Sequence, residues 1–357
     1  GYAVRLADVV SATSDAPVHL PVVGAIGAGA ADLRELPEGT AAKIMTGAPV
    51  PAGADAVVPY EWTDRGAEHV RIERAPTEGQ HVRRAGEDVT AGDLVLEAGT
   101  VLGPRQLGLL ASLGHARVAV RHRPRVVVLS TGSELREPGQ PLGHDSIHDG
   151  NSFLLAAAAR RAGAVVYRVG IVPDQPEAFL AALEEQLVRA DVVVTSGGVS
   201  MGDYDVVKAA LRPLGTVWFG PVAMQPGKPQ GFGHVGHARV PIFTLPGNPV
   251  SAYLSFELFV LPALRKMMGL TPWSRPQVTA RLTHAITSPP GRRQLLRAHL
   301  DTAEGTVSPV GGPGSHLVGG LADADAVVVV PEDVTALDAG ASVSVLPLDT
   351  GLDGGAS

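Results

Sequence analysis

Three stretches decide the fold: Arg125-Val-Val-Val-Leu-Ser-Thr-Gly-Ser-Glu134, Ala190-Asp-Val-Val-Val-Thr-Ser-Gly-Gly198 and Pro241-Ile-Phe-Thr-Leu-Pro-Gly-Asn-Pro249. Each is a continuous apolar run that ends in a small polar residue or Pro and then glycine. A strand apolar on both faces has to be covered on both faces, which is the habit of parallel sheets flanked by helices. Helix signals fill the spaces between these runs. Asn151–Ala162 before Gly163 reads as a helix and Val165–Val172 as a further strand. Pro173-Asp-Gln-Pro-Glu opens a helix to about Ala190, with Asp174 as its candidate N-cap and Pro176 in its first turn. Tyr204–Leu211 is expected to be helical, with Asp203 favoured over Asp205 as its cap, and one long helix is expected after Pro249. The centre of the chain, residues 125–270, is therefore expected to be a doubly wound, mostly parallel α/β sheet. In such sheets ligands bind beyond the carboxyl ends of the strands.

The flanks read differently. Residues 1–90 show short apolar or alternating runs, such as Val18-His-Leu-Pro-Val-Val and Ala56-Val-Val-Pro-Tyr, broken by Gly, Pro and Asp, and are expected to form an irregular β domain. Residues 91–124 form a connecting segment with one helix, Pro104–Leu113, stopped by Gly114, and His115–Arg125 is strand-like. After the punctuation Thr271-Pro-Trp-Ser-Arg-Pro276, residues 276–348 return to short β runs and are expected to form a separate β-barrel-like domain. The tail, 349–357, is Gly- and Asp-rich and expected to be disordered.

Composition removes whole classes of function. With 357 residues, 45% of them hydrophobic and 18% charged, the chain is long and apolar enough for several cores. A net charge of −7 gives no basic field for a nucleic-acid backbone, so no nucleic-acid partner is expected. The absence of Cys excludes disulfides, thiolate nucleophiles and iron–sulfur ligation, and fits a cytoplasmic location. No membrane partner is expected either, because the most apolar helix candidate, Ser251–Leu270, carries Glu257, Pro262, Arg265 and Lys266.

The chemistry should lie in four Gly- or Pro-rich loops at the strand exits: Ser130–Glu134, Thr195–Asp205, Gln225–Pro229 and Leu245–Pro249. Glycines let backbone N–H groups approach a ligand, and N–H groups at helix starts face negative charge, so this edge suits a phosphate or another oxyanion. Any one such loop could be only a tight turn, but four on one edge weaken that reading. Glu134, Asp203 and Asp205 put carboxylates beside the anion site, as a Mg2+ ion held between protein and phosphate requires. Gly198-Val-Ser-Met-Gly202 matches a serine-hydrolase elbow, but Ser-Gly-Gly separates Ser200 from the end of the apolar strand. Gly24-Ala-Ile-Gly-Ala-Gly29 lacks the last glycine of a dinucleotide fingerprint, and Gly227-Lys228 precedes Pro229 where a Walker A motif has Ser or Thr.

Taken together, Thr46-Gly-Ala-Pro-Val-Pro-Ala-Gly-Ala-Asp-Ala-Val-Val58, Arg84-Ala-Gly-Glu-Asp88, Ser130–Leu135, Thr195–Asp205, Pro226-Gly-Lys-Pro229 and Leu245–Ser251 resemble the molybdopterin molybdenumtransferases, the MoeA and gephyrin E-domain family. The resemblance runs in order from Gly1 to about Leu348. Gly1-Tyr-Ala-Val-Arg5 looks like the family's Asp-Gly-Tyr-Ala-Val-Arg without its Asp, so a further segment is expected before Gly1. The resemblance implies an elongated multidomain enzyme with a MogA-like molybdopterin-binding domain at its centre. It implies insertion of molybdenum from molybdate into adenylylated molybdopterin, with Mg2+ and release of AMP. By position within the motifs, Glu134 and Asp205 look like the metal-binding and catalytic carboxylates. Thr46 and Asp88 look like catalytic residues reaching the site from the partner subunit of a homodimer. Cofactor binding falls to Thr131, Gly132, Ser196, Gly197, Gly198, Val199, Ser200, Pro246, Gly247, Asn248 and Pro249, and molybdate to Lys228, Ser251, Arg297 and Ser315. A molybdopterin adenylyltransferase is implied as a protein partner.

Two departures from the family pattern stand out. Gln225 occupies the first Lys position of Lys-Pro-Gly-Lys-Pro and removes a positive charge from the molybdate pocket, which should weaken anion binding. Ala298 replaces the Gly that often follows the strand arginine. For Arg297 itself the competing reading is a solvated surface arginine, as basic as its neighbours Arg292 and Arg293. Three other functions compete. An adenylyltransferase would not need the flanking β regions, a scaffold without turnover would not need Glu134 and Asp205, and an esterase would depend on Ser200.

Overall fold

The computed structural model describes residues 1–29, 34–198 and 205–348. They divide into two compact units, Gly1–Ala98 and the remainder from Gly99. The first unit holds β1 (Tyr2–Val4), a single helical turn α1 (Leu6–Val9), β2 (Val18–Ile26), β3 (Ala41–Ile44), β4 (Ala56–Val58) and β5 (His69–Ile72). Its sheet has the order β4-β1-β3-β2-β5, with β2 and β3 parallel and the other pairings antiparallel. Tyr2, Val4, Leu20, Val70 and Ile72 pack its core. Beyond β5, residues 73–98 contain no helix or strand. The irregularity read from the Gly- and Pro-broken sequence is thus a property of the fold.

The second unit opens with α2 (Pro104–Ser112). Pro at the first turn needs no N–H there, and Gly114 at φ +83° ends the helix while its N–H bonds Ala111 O at 3.0 Å. Residues 115–124 form no strand, contrary to the alternation of Val118 and Val120: no strand among the described residues pairs with them, and both side chains stay exposed. The α/β layer then follows as β6 (Arg125–Thr131), a short parallel pair β7 (Leu135–Arg136) and β8 (Ile147–His148), α3 (Asn151–Arg161), β9 (Val165–Val172), α4 (Pro176–Leu187), β10 (Val192–Ser196), α5 (Val206–Leu211), β11 (Val217–Pro221), β12 (Met224–Gln225), β13 (Pro229–Val235), β14 (Val240–Leu245), α6 (Pro249–Ser255) and α7 (Leu261–Met267). The sheet order is β11-β13-β14-β10-β6-β9. Strands β14, β10, β6 and β9 are parallel, and β13 and β11 add an antiparallel edge.

Alternation along β6 accounts for both cores. Val126 and Val128 pack with Leu155, Phe243 and Phe256 on one face, while Val127 and Leu129 pack with Phe179, Leu183 and Ile242 on the other. Burying each such large side chain stabilises the fold by roughly 1.5–3 kcal/mol. The segment after Pro249 is not one regular helix. Residues Phe256–Val260 form a π-helical stretch between α6 and α7, because Pro262 has no N–H to continue the ordinary ladder.

The remaining strands are β15 (Val278–Leu282), β16 (Ile286–Thr287), β17 (Arg293–Asp301), β18 (Thr306–Pro309), β19 (Ala326–Val330), β20 (Ala336–Leu337) and β21 (Ser342–Pro347), with α8 (Val318–Asp323) after β18. Pairings β17–β18, β18–β15, β15–β21, β21–β19 and β19–β17 close a five-stranded barrel. Ala298 is fully buried inside it, so its methyl is part of the barrel core. The barrel also takes β12 as an edge strand beside β17 and shares a core with α6 through Met224, Leu254, Leu295, Val327 and Leu346. The second unit is therefore an α/β sheet and a β-barrel joined by common packing.

Candidate active site

The parallel strands β14, β10 and β6 lie side by side, so their carboxyl ends bring Leu245, Ser196 and Ser130 into register. Because β13 runs antiparallel to β14, its first residue, Pro229, falls at the same edge. The loop carrying Gln225–Lys228 therefore joins the three strand-exit loops. The described parts of the four loops, 130–134, 195–198, 225–229 and 245–249, thus lie at one edge of the sheet.

Glycine is required where these loops touch. Gly197 sits at φ +88° with its N–H bonded to Leu245 O at 3.2 Å, and a Cβ there would stand 2.9 Å from Thr131 O. Gly198, at φ +70°, would place a Cβ 2.5 Å from Val207 Cγ2. Neither conformation nor space admits a side chain without displacing backbone or α5. Asn151, at the start of α3, ties the loops together. Its Nδ2 donates to Ser196 Oγ at 2.8 Å and to Gly247 O at 2.6 Å. Asp149, only 1% exposed, supports this corner by accepting from Ser152 N at 3.0 Å and Ser130 Oγ at 3.3 Å. The sequence pattern marks Asn151 only as the start of a helix. The available signal was the polar Asp149-Gly-Asn151 cluster directly before an apolar helix.

The edge is polar and incompletely satisfied. Thr131 Oγ1, Thr195 Oγ1, Thr244 Oγ1 and Asn151 Oδ1 are buried without a hydrogen-bond partner among the described residues. Native folds pair almost all such atoms, so their gathering at the ends of β6, β10 and β14 marks a place for a bound polar group or water.

Glu134 is exposed beyond β6. Asp174, at the carboxyl end of β9, was expected to cap α4. The N-cap is Gln175, and no side chain bonds the helix there. The Asp174 carboxyl instead sits above its usual range, first through loss of solvent around it and then through the negative charge of Glu134. The negative charge of Glu134 is thus felt at Asp174, a proximity that sequence pattern does not show. Asp205 is the cap of α5: its Oδ1 accepts from Lys208 N at 3.2 Å, and the residue is 6% exposed. Asp203, favoured for that cap, lies outside the described residues, as do Val199 and Ser200.

On the barrel side, Lys228 is exposed and Ser251 is buried in α6. Arg297 on β17 is 2% exposed, which contradicts the reading of a solvated surface arginine. Its Nη1 donates to Gly314 O and Leu317 O at 3.1 and 3.0 Å, and its Nη2 to Gly312 O and Gly311 O at 2.5 and 3.4 Å. The guanidinium braces the 311–317 loop, and its buried Nε–H has no partner among the described residues. Burial lowers its pKa. Ser315 on that loop accepts at Oγ from Asn248 Nδ2 at 2.9 Å, and its carbonyl accepts from Val250 N at 3.1 Å. The Pro246–Pro249 loop therefore links the strand-exit cluster to the Ser315 loop. Thr46 and Asp88 belong to the first unit, where both lie on exposed loops.

Among the described residues no three His, Cys, Asp or Glu side chains form a metal-binding group. Also among the described residues, no helix is long and apolar enough to cross a membrane.

Residues 1–114 of this chain match the MoeA N-terminal region (domain I and II), residues 127–266 a probable molybdopterin binding domain, and residues 279–348 the MoeA C-terminal region (domain IV). It is 50% identical over 354 residues to molybdopterin molybdenumtransferase 2 of Mycobacterium tuberculosis, covering 98% of this chain and 87% of that protein. It is 43% identical over 367 residues to molybdopterin molybdenumtransferase 1 of the same organism, covering 97% and 86%. A solved structure of the molybdopterin biosynthesis MoeA protein of Pyrococcus horikoshii superposes with a TM-score of 0.80 at 35% identity, over 98% of this chain and 86% of the other.

Proposed function

This chain belongs to the molybdopterin molybdenumtransferase family, and from that premise we propose that it inserts molybdenum from molybdate into adenylylated molybdopterin, using Mg2+ and releasing AMP. One observation carries the reading: the exits of β6, β10 and β14 and the turn before β13 converge on one edge lined with glycine backbone and unpaired buried hydroxyls. A pyrophosphate needs just such an anion cradle.

In this reading Thr131, Gly132, Ser196, Gly197, Gly198 and Pro246–Pro249 bind the pterin and its phosphates, with Asn151 fixing the relation between the Ser196 and Gly247 loops. Lys228, Ser251, Ser315 and the unpaired Nε of Arg297 hold molybdate. The paired negative charge of Glu134 and Asp174 fits Mg2+, which takes one or two carboxylates and completes its shell with water and phosphate oxygens. When bound, that ion neutralises charge on the pyrophosphate. Asp205 caps α5, keeps the Gly197–Gly198 turn against that helix, and is the catalytic carboxylate of the set. A homodimer in which Thr46 and Asp88 serve the site of the other subunit belongs to the same proposal. Exposed Val101, Leu107, Leu113, Val118 and Val120 offer apolar surface for it. Docking of a molybdopterin adenylyltransferase and a cytoplasmic location complete it.

The test is a titration of molybdopterin-AMP into the protein with Mg2+, followed by molybdate, with AMP measured throughout. AMP released only after molybdate is added supports the function. Binding without AMP release favours a scaffold without turnover, and no binding removes the reading.

A further inference from the structure

The loss of a lysine at Gln225 has a structural counterpart. Strand β12 pairs in parallel with the start of β17, Met224 opposite Arg293 and Gln225 opposite Gln294, and Arg293 N donates to Ala223 O at 3.0 Å. This short ladder fixes the residue just before β17, Arg292, beside position 225. Arg292 Nη1 reaches Gln225 Oε1 in a long hydrogen bond of 3.5 Å, and both residues are half-buried. The turn that delivers it, Pro289-Pro-Gly-Arg292, is anchored where Gly291 N donates to Glu332 O at 2.8 Å.

The neighbouring cations are not equivalent. Arg293 faces a carboxylate of its own, Glu332 at 3.4 Å, in a solvent-exposed ion pair. Arg292 and Lys228 have no carboxylate partner among the described residues. An arginine can only donate, so its contact also sets the Gln225 amide: Oε1 faces Arg292, and the Nε2 hydrogens remain for another acceptor. The turn at Gln225–Lys228 therefore carries one lysine, one guanidinium held at its other end, and an amide donor between them.

Resting on the molybdate reading above, we propose that Arg292 supplies the positive charge that Gln225 withholds, making Arg292 and the oriented Gln225 amide a second binding arm for the tetrahedral dianion opposite Lys228. The pocket keeps its charge while moving it from residue 225 to residue 292. An arginine suits this task because its planar, always-charged fork holds an oxyanion by more than one N–H.

The experiment is calorimetric titration of sodium molybdate into the full chain for wild type, Arg292→Ala, Lys228→Ala, Gln225→Lys and the double variant Arg292→Ala/Gln225→Lys. Melting curves and molybdopterin-AMP affinity are recorded beside it. Arg292→Ala should weaken molybdate by about tenfold or more, as expected for one lost charge-assisted hydrogen bond. The double variant should recover to within about threefold of wild type, because a lysine at 225 restores the missing charge. Gln225→Lys alone should change affinity by less than about threefold. Molybdopterin-AMP affinity should stay constant throughout. If Arg292→Ala leaves molybdate affinity unchanged while Lys228→Ala removes it, the proposal fails and the molybdate site stands. A loss in Arg292→Ala that the added lysine does not rescue also overturns it, since the role would then be structural. Molybdate binding indifferent to both Arg292 and Lys228, or absent from wild type, overturns the proposal and the site reading together.

Discussion

Replacing Asn151 by Ala tests whether the strand-exit loops form one site. The side chain donates two hydrogen bonds, to Ser196 Oγ at 2.8 Å and Gly247 O at 2.6 Å, that connect loops 45 and 96 residues away in sequence. Each is worth about 1 kcal/mol net. Ser196 is 2% exposed, so its hydroxyl loses a partner that water replaces poorly, whereas the Gly247 carbonyl is open to solvent. The sum is about 2 kcal/mol, which for a unit of this size lowers the melting temperature by roughly 4–8 °C. The effect on function should exceed that on stability, because the Ser196 and Gly247 loops lose their common tie. Molybdopterin-AMP affinity is expected to fall by at least about tenfold, while molybdate affinity changes little. Asn151→Asp should keep at most the Ser196 contact, with the hydroxyl now donating, and must lose the bond to Gly247 O because a carboxylate cannot donate to a carbonyl. Differential scanning calorimetry and isothermal titration on the same preparations measure both quantities. An Asn151→Ala protein with wild-type melting and wild-type molybdopterin-AMP affinity would refute the claim that this side chain organises the site.

Three other outcomes are expected. Gly198→Ala forces a methyl against Val207 at a φ of +70°, at a cost of about 1–2 kcal/mol for the backbone alone, and AMP release should drop at least tenfold in a steady-state assay. Asp174→Asn removes a carboxyl whose pKa is raised by loss of solvent and by Glu134, so the variant should melt at or slightly above the wild-type temperature while its Mg2+-dependent AMP release falls; a clear loss of stability would show that Asp174 is not repelled. Asp191 is hydrogen-bonded to Arg125 at 2.9 Å and its carboxyl is held below the usual range, so it is more acidic folded than unfolded. It therefore adds stability above the unfolded carboxylate pKa of about 3.9 and loses it as pH falls further. Arg125 is 44% exposed, so solvent screening keeps the contribution small. Asp191→Asn should lower the melting temperature at pH 6 by a few degrees at most, with the gap closing below pH 4.

What the sequence disclosed follows from how local each determinant is. The runs at 126–130, 192–195 and 241–245 announce buried parallel strands because their character is uniform over a whole strand. Strands β11 and β13 are less visible, since glycines at 220, 231 and 233 interrupt them and they form only by pairing with β14 and each other. Residues 115–124 show the converse, alternation without a partner strand. Pro262 carries the signal for the π-helical stretch, but its effect on the residues before it depends on packing. At the site, glycines and carboxylates in exit loops are legible as types. Which residue caps a helix is decided by one or two residues of register, which place the α4 cap on Gln175 instead of Asp174 and the α5 cap on Asp205 instead of Asp203. The burial of Arg297 and the contact of Arg292 with Gln225 arise from segments more than ten residues apart, beyond the reach of pattern reading.

The most direct test of the central claim is a crystal structure of this chain with molybdopterin-AMP bound. The account predicts the pyrophosphate within hydrogen-bonding distance of the backbone at Thr131–Gly132, Gly197–Gly198 and Gly247, with the Glu134 and Asp174 carboxylates beside it. Molybdopterin-AMP found instead in the cavity of about 270 Å3 lined by Arg161, Tyr253, Glu257 and Arg275, or anywhere away from the strand exits, would contradict it.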